Sequence, residues 1–281
     1  MSLVPMVELL RPARQAGYAV GAFNVVTLEF GEAIIAAAEA AHAPVILQVS
    51  QNAVMYHGSL EPIAAACLAL AERSDIPVAV HLDHATTQEL CERAVIAGIT
   101  SVMLDASAHL WEDNVRITTG TAVWVHERGA ALEAELGLVG GKDGIHAPGA
   151  RTDPADARRF VEQTGVDALA VAVGTSHAML DRTARIDFEL IARLRAVVPV
   201  PLVLHGSSGV RDEDLAEAVR RGITKVNIAT QMNQAFTSAV RAHLVRDANV
   251  VDPRRYLASG RDAMAAAVAA KLRLVGSDAR A

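Results

Sequence analysis

Two cysteines in 281 residues are too few for a disulfide framework. Cys67 and Cys91 fall in helix-like runs without metal-type spacing, so both read as core thiols suited to a reducing cytoplasm. Aromatic residues make up only 4% and the net charge is −6, which removes the stacking platforms and the basic footprint of a nucleic-acid binder. No apolar run approaches the roughly 18 uninterrupted residues of a membrane helix. The first 17 residues carry Glu8, Arg11 and Arg14, unlike the apolar stretch of a signal peptide.

What the chain has in quantity is apolar residues, 52% of the total, in a regular alternation of short β-prone runs and longer Ala-rich amphipathic ones. The β-prone runs are 19–23, 45–49, 78–82, 101–104, 131–135, 168–173, 202–204 and 225–228, with helix-length stretches such as 28–41, 87–97, 154–163 and 212–221 between them. Eight strand–helix pairs in this length favour a closed α/β (β/α)8 TIM barrel, a single domain over 1–281, above an open doubly wound sheet. Residues 252–277 add a C-terminal helix beyond the eighth unit, as a packing helix or a subunit contact. Thr152 or Asp153 before Pro154 is a helix-start signal, and Gly98 and Gly222 are helix stops. The Gly-rich stretch 137–151 after the fifth strand reads as an active-site lid.

Chemistry in such a barrel is built at the C-terminal strand ends. There the polar residues are Asn24, Ser50, Asp83 with His84, Asp105, Glu135, His177, His205 and Asn227. Each loses hydration and must find a partner, so a barrel made for stability alone has no reason to collect them. His84, His177 and His205 together match the plan of a catalytic zinc site, three protein ligands and an open position. Glu135 is a candidate intermittent fourth ligand. Asp83 is the natural acid or base beside the metal, with orientation of a histidine as its structural alternative. His81, inside the strand, reads as a supporting partner or a core residue. The small-residue loops after strands seven and eight, from His205 and from Asn227, leave backbone N–H groups free for a phosphate.

Together these residues resemble the class II fructose-bisphosphate aldolase family, particularly its tagatose-bisphosphate and ketose-bisphosphate members. The likeness spans nearly the whole chain through the runs AFN (22–24), QVS (48–50), HLDH (81–84), EAELGLVGG (133–141), GTSH (174–177), LHGSSG (204–209), KVNIAT (225–230) and DPR (252–254). It implies retro-aldol cleavage of a ketose 1,6-bisphosphate, of tagatose or fructose type, to dihydroxyacetone phosphate and an aldehyde. It also implies zinc or another divalent metal on His84, His177 and His205, with Glu135 nearby. By the same resemblance Asp83 exchanges the C4 hydroxyl proton and Asn227 holds the enediolate. Gly206, Ser208 and Thr230 bind the dihydroxyacetone phosphate end, with Asn24, Ser50 and Gly174 also in the substrate site and a monovalent cation, Na+ or K+, nearby. Arg254 matches an arginine that reaches a neighbouring subunit's site, which implies a homodimer or homotetramer.

The chain also departs from the family pattern. Ala178, Asp181 and Arg182 stand where a glycine and then a lysine are usual, and Lys142-Asp143 replaces a Glu-Asp lid ending. These changes leave the metal ligands and Asp83 untouched but alter the phosphate pocket and the lid, where Asp143 is the candidate proton donor at C1 of the dihydroxyacetone phosphate product. Ala229 replaces an aspartate of the longer fructose enzymes, which favours a tagatose-type substrate, with a keto-sugar acid phosphate as a further candidate. A Schiff-base aldolase would need an inward lysine. Of Lys142, Lys225 and Lys271 only Lys225 is in step with Asn227 by strand alternation. A non-catalytic barrel subunit would be expected to have lost ligands or Asp83, and the chain retains all of them.

Overall fold

The computed structural model describes residues 2–137, 151–176 and 181–281. Eight parallel strands pair in sequence order and close into a barrel: β1 (Val20–Asn24), β2 (Val45–Ser50), β3 (Val78–Ala85), β4 (Ser101–Leu104), β5 (Ala131–Leu136), β6 (Ala168–Val171), β7 (Leu202–Leu204) and β8 (Ile223–Ile228). The expected (β/α)8 fold is therefore present, with strand bounds shifted by a few residues at most.

The helices run α1 (Met6–Ala16), α2 (Leu28–Ala40), α3 (Gln51–His57), α4 (Glu61–Arg73), α5 (Gln88–Ile96), α6 (Trp111–His126), α7 (Pro154–Thr164), α8 (Phe188–Val197), α9 (Asp212–Arg221), α10 (Thr230–Arg246) and α11 (Pro253–Leu274). α10 is the eighth unit's own helix, so α11 is the additional one. Asp153, rather than Thr152, caps α7: its Oδ1 accepts from Ala155 N at 2.8 Å. The Thr152 hydroxyl instead donates to Leu136 O and accepts from Ala172 N, both at 2.8 Å, tying the ends of β5 and β6 together.

Strand alternation divides the core in two. Outward residues such as Phe23, Leu47, Val80, Leu132 and Leu169 pack under the helices. Inward residues Val20, Ala22, Ile46, Ala79, Ala168, Ala170 and Val203 pack instead with Met6, Leu9, Leu10 and Ala13 of α1. α1 thus plugs the lower end of the barrel with apolar side chains, and the small inward alanines fit an interior only wide enough to be filled by side chains. Polar groups are gathered above this plug, toward the C-terminal strand ends.

Both cysteines are buried, and burial pushes each thiol up to about 12. Because the thiolate is the reactive form, neither should be labelled by a disulfide reagent at pH 8 in the native protein. Both should react once denaturant is added, and rapid native labelling at either position would contradict this packing.

Candidate active site

Ser50 and Asp83 are register partners on β2 and β3, and Ala22 pairs with Asn227 between β1 and β8. Alternation sends Asp83 inward with Ala79 and His81, and it would send the next residue, His84, outward. The strand avoids this. The β3–β4 register shifts between Leu82 and Ala85, and His84 takes a left-handed backbone with φ of 54°. A bulge of this kind re-aims a side chain. His84 and Asp83 consequently both face the mouth, with His84 Nε2 3.9 Å from Asp83 Oδ1.

That conformation costs about 1–3 kcal/mol in a non-glycine residue. Asn tolerates it and a β-branched residue does not. His84→Asn should therefore fold normally without metal, whereas His84→Val should be about 1–3 kcal/mol less stable than the Asn variant. Thermal unfolding of the two metal-free variants checks this, and equal stabilities would remove the argument for strain.

His84 meets two further groups across the mouth. Its Nδ1 lies 3.2 Å from Asp105 Oδ2. Its ring centroid lies 4.6 Å from that of His205, edge to face. Two sets of ligand atoms lie within 4.8 Å of one another, Asp83–His84–His205 and His84–Asp105–Glu135. This mixture of imidazole nitrogens and carboxylate oxygens, largely buried, suits zinc or a similar divalent ion. Of the three expected histidine ligands, the structure brings His84 and His205 together; His177 lies outside the described residues, as does Asp143. Asp105 joins the cluster, a strand-end residue to which the sequence attached no role. Ser107 holds Asp105 in place, its hydroxyl donating to Oδ1 at 2.6 Å.

Asn227 donates from Nδ2 to Asp83 Oδ1 at 3.2 Å, which couples the amide to the carboxylate. Its own Oδ1 is buried with no hydrogen-bond partner among the described residues, and the same holds for Ser208 Oγ and Gln48 Oε1. Buried polar atoms are nearly always satisfied, so three orphans around one barrel mouth mark a place prepared for a ligand or water. Gln48 Nε2 also donates to Asn24 Oδ1 at 3.1 Å. The Ser50 hydroxyl caps α3, accepting from Ala53 N at 3.2 Å. Thr230 opens α10 directly after β8, a helix start that presents free N–H groups to an anion.

Two of the expected substrate-binding glycines have a packing reason of their own. A Cβ on Gly206 (φ 65°) would lie 2.6 Å from the Ser176 backbone, and one on Gly174 (φ 107°) would lie 2.2 Å from Arg185 O. Only glycine fits either backbone. Arg254 is exposed in the first turn of α11 and folds back on Asp252, Nη2 to Oδ2 at 2.7 Å. Arg182, one of the departures from the family pattern, pairs with Asp212 at 3.0 Å.

Beneath the mouth lies a polar layer that the sequence reading had not assembled. Glu133, Lys225, His81 and Ser101 are all fully buried. Lys225 Nζ donates to Glu133 Oε2 at 2.7 Å, and Glu133 Oε1 faces His205 Nε2 at 3.0 Å. His81 Nδ1 pairs with the Ser101 hydroxyl at 2.7 Å. Burial, reinforced by the Lys225 charge, holds the His81 imidazole well below its usual pKa, so it stays neutral. The inward lysine therefore exists, but it is spent on an ion pair rather than presented as a free amine. The signal for Glu133 was its two-residue spacing from Glu135 on an inward face, which puts both carboxylates in the barrel.

The comparisons with known proteins cover the same span. The family model for class-II fructose-bisphosphate aldolase matches residues 4–280. A fructose-bisphosphate aldolase of Geobacillus stearothermophilus is 43% identical, over 100% of this chain and 99% of that protein. A probable fructose-bisphosphate aldolase of Bacillus subtilis is 40% identical, with 100% of both chains covered. Among solved structures, the YdjI aldolase of Escherichia coli superposes with a TM-score of 0.89 at 35% identity, covering 99% of each chain. A putative fructose-1,6-bisphosphate aldolase of Coccidioides immitis gives 0.88 at 29% identity, over 98% of this chain and 96% of that one. With a family match over almost its entire length and relatives well above 30% identity, the chain belongs to the class-II fructose-bisphosphate aldolase family.

Proposed function

We propose that this chain, acting as one domain over 1–281, reversibly cleaves a ketose 1,6-bisphosphate to dihydroxyacetone phosphate and an aldehyde such as glyceraldehyde 3-phosphate. The observation that carries the reading is the juxtaposition at the barrel mouth: Asp83 hydrogen-bonded to Asn227, beside the His84–His205 pair. The names of the relatives favour fructose 1,6-bisphosphate as substrate, ahead of the tagatose-type substrate that Ala229 pointed to.

His84, His177 and His205 are the ligands for a zinc ion, with Glu135 as an intermittent fourth. Ser176, the residue before His177, packs against Gly206, which supports that set. A bound divalent ion supplies Lewis-acid stabilisation of negative charge as it develops on the C2 oxygen. The chain's own residues do the rest. Asp83 accepts the C4 hydroxyl proton as the C3–C4 bond breaks. The C4 oxygen becomes the aldehyde carbonyl and the bonding pair stays on C3. Asn227 holds the substrate oxygens beside Asp83, and a proton returned to the ketose's C3, which becomes C1 of the product, from Asp143 in this reading, completes dihydroxyacetone phosphate. The small-residue loop at Gly206 and Ser208 and the N-terminus of α10 at Thr230 receive the phosphate of that half, with Gly174, Asn24 and Ser50 along the same rim and Na+ or K+ beside it.

Arg254 binds the second phosphate in the site of a neighbouring subunit, so the working unit is a homodimer or homotetramer. The exposed Leu244 and Val245 in the last turns of α10, and Val251 just before α11, offer apolar surface for such a contact. No single helix among the described residues is long and apolar enough to cross a membrane. The two buried thiols suit a cytoplasmic setting.

The test is zinc-loaded protein assayed for dihydroxyacetone phosphate release from fructose 1,6-bisphosphate and tagatose 1,6-bisphosphate in parallel, before and after a chelator. Release from at least one, abolished by the chelator and restored by zinc, is expected. No release from either ketose would defeat the reading, and release that survives metal removal would transfer the chemistry to Lys225.

A further inference from the structure

The carboxylate layer below the mouth has no part in the chemistry proposed above, yet it touches one of its ligands directly. Glu133 stands two residues before Glu135 on the inward face of β5, one step deeper in the barrel. The two carboxylates grip opposite sides of one ring: Glu133 Oε1 is 3.0 Å from His205 Nε2, and Glu135 Oε2 is 2.9 Å from His205 Nδ1. The other Glu133 oxygen is taken by Lys225 Nζ at 2.7 Å, with His81 Nε2 3.9 Å away. Glu133, Lys225 and His205 are all fully buried.

We propose that Glu133, fixed by Lys225, is a positioning residue that takes the Nε2–H of His205 and leaves Nδ1 as the nitrogen available to a metal. The inference rests on His205 being a metal ligand, as in the function proposed above. A carboxylate only accepts hydrogen bonds, so a nitrogen can offer its lone pair to a metal only where the facing carboxylate gives way to the ion. Glu133 is anchored by Lys225 below the mouth, whereas Glu135 stands at the mouth as a ligand candidate itself. The proton therefore stays on Nε2 and the lone pair goes to Nδ1. Nδ1 is on the side of Glu135, which belongs to the cluster with His84 and Asp105. Lys225 matters because a lone buried carboxylate is costly and would be free to turn away. With one oxygen locked by the ammonium, the other has a single direction left.

The test compares the full-length wild type with Glu133→Gln and with the double variant Glu133→Gln/Lys225→Met. The readouts are Zn2+ affinity by chelator competition and the visible spectrum of the Co2+-substituted protein. A neutral amide in place of Glu133 can offer a donor as readily as an acceptor, so it no longer selects the tautomer. Glu133→Gln is expected to weaken Zn2+ binding roughly 10–100-fold and to change the Co2+ ligand-field bands. It also leaves Lys225 buried without its counter-charge. The double variant removes that charge and should regain thermal stability while keeping the weakened metal affinity.

Wild-type affinity and an unchanged Co2+ spectrum in Glu133→Gln would overturn the inference and leave the function standing. So would recovery of full affinity in the double variant, which would reduce Glu133 to a partner for Lys225. A wild-type chain that takes up no metal would overturn both together.

Discussion

Replacing Asp83 with alanine should lower ketose-bisphosphate cleavage by about 10²-fold or more while the protein keeps its metal. The expectation follows from what the carboxylate touches. Asp83 is buried at the inward end of β3, and its Oδ1 accepts one hydrogen bond, from Asn227 at 3.2 Å. Among the described residues it pairs with no arginine or lysine, unlike Glu133, which is held by Lys225. The His84 ring lies close by, 3.9 Å from Nε2 to Oδ1, near enough for the same substrate to meet both groups.

A positioned base is worth about 10²–10⁴ in rate, roughly 3–5 kcal/mol of barrier at 1.36 kcal/mol per decade. The competing role is that of a ligand, since Asp83 also falls in a group with His84 and His205 able to hold an ion. The two roles separate in one experiment. Kinetics run alongside elemental analysis of Asp83→Ala distinguish a base, where turnover falls and zinc stays, from a ligand, where both are lost. Near-normal turnover would exclude the base role. Asp83→Asn adds a control of shape, since it keeps the side-chain volume and the contact with Asn227 while removing the negative oxygen.

The barrel was legible because its signal is local. Runs such as VILQV or ALAV between Ala-rich helices announce buried parallel strands without reference to any distant residue. Strand ends are legible for the same reason, and the polar residues Asp83, His84, Glu135, His205 and Asn227 stand out at them in the sequence alone. What stayed hidden depends on pairing across the barrel. Glu133 and Lys225 are 92 residues apart, and Glu133 and His205 are 72 apart. No window of sequence shows that a lysine on the last strand neutralises a glutamate on the fifth. The plug formed by α1 is not legible because the spacing of Met6, Leu9, Leu10 and Ala13 marks an apolar helix face without saying which end of a barrel that face closes. His84 was chosen for its chemistry, but simple alternation would have turned it to the wrong face. The bulge and the positive φ that correct this are backbone events with no residue-type marker, since the position holds neither glycine nor asparagine.

Removing the His205 side chain should have the second large effect, and it should act through the metal. In His205→Ala, zinc content after dialysis should fall to a small fraction of the wild-type value and cleavage should fall below detection. His205 is fully buried and faces a carboxylate on each nitrogen, Glu133 at 3.0 Å and Glu135 at 2.9 Å. On the proposed ligand set its loss removes one ligand, and it also takes from Glu135 a partner at the mouth. Glu133 keeps Lys225, so the layer beneath should survive. The stability cost should therefore be that of unsatisfied buried carboxylate oxygens, about 1–3 kcal/mol, and not a collapse of the barrel. Circular dichroism and thermal unfolding measure that cost, and elemental analysis measures the metal. A folded His205→Ala protein with a full complement of zinc would show that the ion sits elsewhere, on the His84–Asp105–Glu135 side of the cluster, and the ligand assignment would have to move with it.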